Sequence, residues 1–284
     1  MNPGPVLSHA ARPATFEVDA INEKGETVPT SIAGEHPLTL YLDKRELVTL
    51  MTLGGAPEAL AIGYLRNQRI LPSVAAIEAV QVDWETDCVV VTTRTRDFWD
   101  GEGVEERLNK RTVTTGCGQG TVFGGLMDEI DQVHLPADVH LSEEVLYTVL
   151  ERVRKHESIY KQAGAVHGCA LCSNAGETRG EIVHFVEDVG RHNAVDAIAG
   201  LMWLDGVSGA DKIFYTTGRL TSEMVIKCAQ MGIPFLLSRS GLTHMGHEIA
   251  RRTGITMIGR CQGRHYLLFT GRQRFVTSPG TLIA

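Results

Sequence analysis

The sequence predicts an α/β protein preceded by a smaller α+β unit, and two patterns indicate this. From about residue 165 onwards, short apolar segments typical of β-strands alternate with helical segments, as in sheets whose strands are joined by covering helices. Earlier in the chain, paired β-like runs surround turn residues and one short helix. The length of 284 residues suits one large domain or two modest ones.

The N-terminal elements follow from turn signals and helix-start signals. Residues 1–35 are rich in Pro, Gly, Ala and polar residues and predict a tail with an edge strand. Residues 36–53 predict two strands around the turn-forming Asp43, and residues 79–95 predict two more. Between these pairs, Pro57 stands at the first-turn position of a short, buried helix.

The C-terminal elements alternate regularly. A helix begins after Ser142, whose hydroxyl suits the N-cap position, and two glutamates follow at the positive end of the helix dipole. The strands and helices beyond it predict a largely parallel sheet covered by helices. The predicted strands begin at residues 165, 181, 212, 233, 255 and 265, and the predicted helices at residues 193, 222 and 243.

These signals divide the chain into four segments. The stretch RTVTTGCGQGTVFGGL contains five glycines and four threonines, which is typical of a loop or connector. The segments are an N-terminal tail and edge segment (1–35), a small α+β domain (36–110), a Gly-rich loop with a candidate cysteine (111–140), and an α/β domain that holds the ligand (141–284).

Composition and charge argue against several classes of protein. Lys and Arg total 27 against 34 Asp and Glu, and a formal net charge of -7 argues against a general nucleic-acid binder. We find no apolar run long enough to span a membrane and no secretory signal pattern. The six cysteines are then expected to be free thiols in a reducing cytoplasm. We expect a cytoplasmic protein with neither a membrane nor a nucleic-acid partner.

The first candidate for chemistry is Cys117, which lies between two glycines in TTGCGQG. Glycine neighbours leave the sulfur unshielded, and they allow backbone amides to turn towards it and stabilise a thiolate or a persulfide. The same features fit a small residue in a linker. The pattern alone therefore leaves both interpretations open.

Two strand-to-helix turns predict anion binding. Open α/β sheets build their sites where strands end, and a helix N-terminus combined with arginine side chains attracts phosphate. The residues concerned are Gly190, Arg191 and His192 at the first turn, and Thr217, Gly218 and Arg219 at the second. Turn formation and capping would explain either motif alone, but two such turns in succession favour a phosphorylated ligand.

The same turns carry a resemblance to a known family. The segments EDVGRHNAVD (187–196) and TTGRLTSEMVIKCAQMGIP (216–234) are similar to signature blocks of the formate dehydrogenase accessory sulfurtransferases, the FdhD family. The similarity extends over residues 36–272. It implies a C-terminal three-layer domain similar to cytidine deaminases, a smaller α+β domain before it, and a homodimer.

The resemblance also implies a function. In this family a cysteine desulfurase supplies persulfide sulfur, which is passed to the molybdenum cofactor, a bis(molybdopterin guanine dinucleotide), for the maturation of formate dehydrogenase. Cys117 falls on the sulfur-carrying cysteine, and a guanine nucleotide would mimic the cofactor. The family's cofactor-binding hexapeptide falls on Arg260, Cys261, Gln262, Gly263, Arg264 and His265. That segment itself reads as a strand end and a turn with two guanidiniums, which suits pyrophosphate or guanine.

The chain departs from the family at Gly120, where many members have a second loop cysteine. One thiol suffices to attack and transfer sulfur, so a single-cysteine carrier is the leading hypothesis. The alternative is a chaperone that binds the molybdenum cofactor and hands it over without transferring sulfur.

A zinc hydrolase or deaminase is a third hypothesis, because Cys169 and Cys172 have C-x-x-C spacing close to His167. Side chains alternate between the two faces of a strand, so the two cysteines are expected on opposite faces. Two thiols placed in this way do not readily share one metal ion. We therefore expect no metal site.

Overall fold

The computed structural model describes residues 4–95, 112–113, 120–121 and 130–277. Its first part contains a five-stranded sheet, a separate two-stranded hairpin and one α-helix. In chain order the elements are β1 (Val6–Leu7), β2 (Thr15–Ile21), β3 (Thr27–Ala33), β4 (His36–Leu42), β5 (Arg45–Thr52), α1 (Pro57–Asn67), β6 (Ile77–Asp83) and β7 (Cys88–Thr93). The five-stranded sheet has the order β1-β6-β7-β4-β5, and β2 pairs with β3.

The predicted elements of this part are confirmed, with one omission. Asp43 turns between β4 and β5 with a φ of 53°, and Pro57 opens α1. The predicted edge strand is β1, which pairs with β6. The hairpin of β2 and β3 was not predicted, because its exposed strands mix polar and apolar residues and lack the pattern of a buried face.

The second part contains a six-stranded sheet with the order β12-β11-β13-β14-β15-β16 and two short pairs, β8 with β9 and β10 with β17. Its strands are β8 (Thr112–Val113), β9 (Gly120–Thr121), β10 (Leu141–Ser142), β11 (His167–Ser173), β12 (Ile182–Asp188), β13 (Lys212–Thr216), β14 (Phe235–Ser238), β15 (Thr256–Gln262), β16 (His265–Leu268) and β17 (Phe275–Val276). Its helices are α2 (Glu143–Lys155), α3 (Ile159–Ala163), α4 (Arg191–Leu204), α5 (Ser222–Gln230) and α6 (His244–Thr253). The predicted cap of α2 is confirmed, since the Ser142 hydroxyl accepts a hydrogen bond from the Val145 N–H.

The strand directions correct one prediction. β11 is antiparallel to both of its neighbours and β16 is antiparallel to β15, so only the β13–β14 and β14–β15 pairs are parallel. The prediction of a largely parallel sheet is therefore wrong, and the sheet is mixed. Residues 174–181 and 263–264 form short connections that close antiparallel pairs, whereas α5 and α6 supply the crossovers that parallel neighbours require.

Helices cover both faces of the six-stranded sheet. On one face, α4, α5 and α6 bury a core that includes Leu171 and Phe214 of the sheet. On the other face, α2 packs against Ala170 and Tyr215. This arrangement confirms the α/β class and the three layers expected for the C-terminal part.

Helix α1 joins the two parts of the molecule. It fills the space between the five-stranded sheet and α4, where its Leu60 and Leu65 are buried with Ala197. Within the described part of the chain, every helix is too short or too polar to span a bilayer.

Candidate functional site

Four strands of the six-stranded sheet end along the same edge. β12, β13, β14 and β15 run in one direction and β11 runs in the other, so β11 begins where these four strands end. The predicted turns after β12 and β13 therefore lie together with the turn after β14 and with His167, the first residue of β11. Such an edge is the usual place for a ligand in an α/β protein.

Three arginines follow successive strand ends at this edge, and together they make it electropositive. Arg191 follows β12, Arg219 follows β13 and Arg239 follows β14. Burial lowers the pKa of His167, and the positive charges of these three guanidiniums lower it further. We call the three arginines and His167 the arginine edge. Arg219 and Arg239 are exposed, whereas Arg191 is only 6% exposed and lies beneath them.

Short contacts fix the turns of the arginine edge relative to one another. The Arg239 N–H donates to the carbonyl of Thr216 at 3.2 Å, and the Ser238 hydroxyl donates to the carbonyl of Gly218 at 2.6 Å. The side chain of Arg191 runs past Gly218, where a Cβ atom would stand 3.2 Å from the Arg191 Cδ. A side chain at position 218 would therefore crowd the arginine, which would have to shift by a few tenths of an ångström.

The two predicted glycine amides are occupied by the protein's own side chains. The Gly190 N–H donates to Asp188 Oδ1 at 2.9 Å, and the Gly218 N–H donates to Thr216 Oγ1 at 3.0 Å. Each of these amides has an internal acceptor, so it would have to give up that hydrogen bond to bind phosphate, and the role of Gly190 and Gly218 stays a prediction. The positively charged arginine side chains are therefore the main groups at this edge that attract an anion.

His192 lies in the interior and not at the surface of the edge. Its Nε2 is 3.3 Å from Glu223 Oε2, and the two side chains are 2% and 3% exposed. Burial, reinforced by the nearby Lys227 ammonium, lowers the pKa of His192 to about 3. A direct phosphate contact by this side chain is not supported, so His192 supports the edge from below.

The predicted hexapeptide forms the tight turn between β15 and β16. Gly263 has a φ of 60°, a conformation that favours glycine, and the backbone of Arg260 is tied to the loop after β14 by a 2.9 Å bond to the Ser240 carbonyl. Arg260, Gln262, Arg264 and His265 are exposed. Cys261 is the exception. It is 2% exposed and belongs to the core beneath α2, so its side chain faces the interior and not the exposed surface of the turn.

Cys117 lies outside the described residues, but the other five cysteines limit where sulfur chemistry can occur. Burial raises the pKa of Cys169, Cys172 and Cys261 to about 12, and it raises the pKa of Cys228 as well. A protonated, buried thiol is a poor nucleophile. Among the described cysteines, only Cys88 is partly exposed.

The expected opposition of Cys169 and Cys172 is confirmed. Cys169 is buried with the helices on one face of the sheet, and Cys172 is buried against α2 on the other. In the described ranges, no cluster of three or more His, Cys, Asp or Glu side chains could hold a metal ion.

Sequence reasoning missed Arg239 and the nearby Tyr160. The Arg239 Cζ lies 5.4 Å from the centre of the Tyr160 ring. Arg239 follows β14 just as Arg219 follows β13, so the rule that parallel strands end at one edge could have located it. Tyr160 carries no such signal, because α3 and β14 are distant in sequence.

The fold and the site define an α/β protein with an electropositive sheet edge and buried structural thiols. The chain belongs to the FdhD/NarQ family, which it matches over residues 33–276.

Relatives and a solved structure agree with this assignment. The chain is 30% identical to the sulfur carrier protein FdhD of Listeria monocytogenes serovar 1/2a, over 91% of this chain and 95% of the relative. It is 27% identical to the sulfur carrier protein FdhD of Bacillus subtilis, over 89% and 94%. A crystal structure from Desulfotalea psychrophila, described as that of a formate dehydrogenase accessory protein, superimposes with a TM-score of 0.71 and 25% identity, and the match covers 92% of this chain and 98% of that one.

Proposed function

We propose that this chain is a sulfur carrier that accepts sulfur on Cys117 and delivers it to a molybdenum cofactor for the maturation of formate dehydrogenase. Relatives that match most of the chain are named sulfur carriers, which supports the general role. The donor is then a cysteine desulfurase, and the protein acts as a cytoplasmic homodimer, as the family resemblance implies.

The first step is a thiol exchange at Cys117. Its thiolate attacks the outer sulfur of the desulfurase persulfide, the sulfur–sulfur bond breaks, and the desulfurase cysteine leaves as a thiolate. Cys117 then carries a persulfide. The assignment is supported by the state of Cys169, Cys172, Cys228 and Cys261, which are buried and have raised pKa values.

The molybdenum cofactor is the cargo, and the arginine edge is the observation that carries this part of the proposal. Bis(molybdopterin guanine dinucleotide) bears pyrophosphate groups, and exposed guanidiniums suit them. Arg219 and Arg239 bind phosphate directly, while Arg191 adds charge from below. Residues 260–265 span the end of β15, the turn and the start of β16 at the same edge, and their two arginines contact a second part of this large ligand.

Intact-mass spectrometry tests the carrier role. After incubation with a cysteine desulfurase and cysteine, the protein should gain the mass of one sulfur atom, and reducing agent should remove it. Cys117→Ala should abolish the gain. Cys88→Ala is the matched control, because Cys88 is the partly exposed cysteine among the described residues, and this variant should gain sulfur as the native protein does.

A cofactor chaperone without sulfur transfer is the second candidate, and the glycine at position 120 favours it. It predicts no sulfur gain by the native protein, together with unimpaired binding of GDP as a cofactor mimic. Equal sulfur gain by native protein and Cys117→Ala would contradict the assignment of Cys117 and move the carrier to another thiol.

A further inference from the structure

Tyr160 presents a half-exposed aromatic side chain beside the arginine edge. Half of its surface (50%) is exposed, although it stands next to a charged site. The Arg239 guanidinium lies over its ring, with Cζ 5.4 Å from the ring centre. A cation at this distance is attracted by the ring electrons, so each side chain restricts the position of the other.

The backbone of Tyr160 is anchored to the end of β12. The Glu187 carboxylate accepts hydrogen bonds from the Ile159 N–H at 2.5 Å and from the Tyr160 N–H at 3.2 Å. Ser158 caps the same turn, because its hydroxyl accepts from the Lys161 N–H. Glu187 is the residue before Asp188, which binds the Gly190 amide, so α3 and the turn after β12 are held by adjacent residues.

This anchoring places an aromatic ring and a guanidinium together at the rim of an electropositive edge. A ring that is held in place yet half exposed can stack with a planar heterocycle at little entropic cost. A guanidinium that lies over an aromatic ring still has N–H donors available for phosphate oxygens. The pair thus combines the two contacts that a nucleotide-like ligand needs.

We propose that Tyr160 and Arg239 form a subsite for the planar heterocycle of a phosphate-bearing ligand. Tyr160 stacks with the ring, and Arg239 pairs with the adjoining phosphate. This inference rests on the proposed function, and it assigns two further binding residues to the same cargo site.

Calorimetric titration with GDP and with pyrophosphate separates the two contacts. Tyr160→Leu should weaken GDP binding about 10-fold, as expected for loss of one stacked base. It should weaken pyrophosphate binding far less, because the Arg239 guanidinium remains and loses only the ring that restricts its position. Tyr160→Phe keeps the ring and should bind both probes as the native protein does. Arg239→Gln should weaken the binding of both probes.

Two further variants make the outcome decisive. Tyr41→Leu replaces a tyrosine on β4, far from the edge in the other sheet, and should bind GDP normally. If Arg219→Gln weakens both probes while Tyr160→Leu binds GDP normally, the subsite is wrong and the arginine edge stands. If the native protein binds neither probe, or if Arg219→Gln changes nothing, both the subsite and the proposed cargo site are overturned.

Discussion

Beneath the arginine edge, the side chains of His192, Glu223, Lys227 and Asp196 form a buried chain of polar contacts. Lys227 Nζ lies 2.8 Å from Asp196 Oδ2 and 3.6 Å from Glu223 Oε1, and Glu223 also contacts His192. Asn67 of α1 donates to the other oxygen of Asp196 at 2.7 Å. A buried charge is stable only when it is paired, so these residues depend on one another.

His192 should make the stability of the protein depend on pH. The pKa of His192 in the folded state, about 3, lies below the ordinary value of histidine. At a pH between these two values, His192 is protonated in the unfolded chain and neutral in the folded chain. The contribution is fully present near pH 7 and is lost as the pH falls below about 6.5. At pH 4.5 the loss amounts to about 2 to 3 kcal/mol.

The measurement is the free energy of unfolding in urea at pH 7 and pH 4.5. The difference between the two pH values should shrink by most of that amount in His192→Gln. The exposed His140→Gln should keep the native difference. An unchanged difference in His192→Gln would show that the imidazole is not held neutral.

At this scale the sequence identified part of the site. Arg191 and Arg219 were predicted because each stands in a short strand–glycine–helix motif that is visible locally. The burial of His192 was not predicted, because its partner Glu223 lies on the neighbouring helix α5. Tyr160 and Arg239 come into contact only through the order of the strands in the folded sheet, and no local sequence pattern predicts that strand order.

At the scale of elements, α1 and α4 cross at close range. A Cβ atom on Gly63 would stand 1.6 Å from the carbonyl oxygen of Asp196, and one on Gly200 would stand 1.9 Å from the carbonyl oxygen of Ala59. Each glycine therefore lets the backbone of the opposite helix approach. Neither helix can accept even a methyl group at this crossing unless the two move apart.

Gly63→Ala should lower the free energy of unfolding by about 3 kcal/mol, because the added methyl group forces the two helices apart. This outweighs the usual gain from alanine in a helix, which is about 1 kcal/mol. Gly55→Ala is the matched control, since a Cβ there meets nothing within 4 Å, and it should change stability by less than about 0.5 kcal/mol. Urea unfolding measures both, and a neutral Gly63→Ala would mean that the crossing is looser than described.

Helices were predicted better than strand directions, for a physical reason. The start signals of these helices are local and were read correctly: Pro57 opens α1, and the Ser142 hydroxyl caps α2. The direction of β11 relative to β13 depends on which strands become neighbours. β12 follows β11 in the chain and is the outermost strand of the sheet on that side. β13 then pairs with the opposite side of β11. The two parallel pairs follow the predicted strand–helix–strand rhythm, and the antiparallel pairs depart from it.

At the scale of the whole molecule, Asp188 joins the two parts of the chain. Its Oδ2 accepts from the Thr52 hydroxyl at 2.5 Å and from the Leu53 N–H at 3.1 Å, both at the end of the five-stranded sheet. Its Oδ1 accepts from Asn193 Nδ2 at 2.8 Å, and that amide also donates to the carbonyl of Met51 at 2.7 Å. The carboxylate that shapes the first turn of the arginine edge therefore also fixes the other sheet.

A double-mutant cycle should detect this joint. Asp188→Ala leaves several buried donors without an acceptor and should cost about 3 kcal/mol or more of unfolding free energy. Thr52→Val removes the hydroxyl donor on the other side of the joint. Because both substitutions break the same bond, the double variant should lose less than the sum, with a coupling of about 1.5 to 3 kcal/mol, as for a hydrogen bond to a charged group.

Thr39→Val provides the control for this cycle, because the Thr39 hydroxyl bonds to Thr49 on the same sheet. Combined with Asp188→Ala, it should be additive within about 0.5 kcal/mol. If the Thr52 pair is equally additive, the Thr52–Asp188 bond does not hold the two parts together, and the α1–α4 crossing and contacts such as that of Asn193 with Met51 keep the arginine edge in place relative to the five-stranded sheet. Coupling confined to the Thr52 pair would instead show that the carboxylate that accepts the Gly190 amide at the first turn of the edge also helps to attach that turn to the five-stranded sheet.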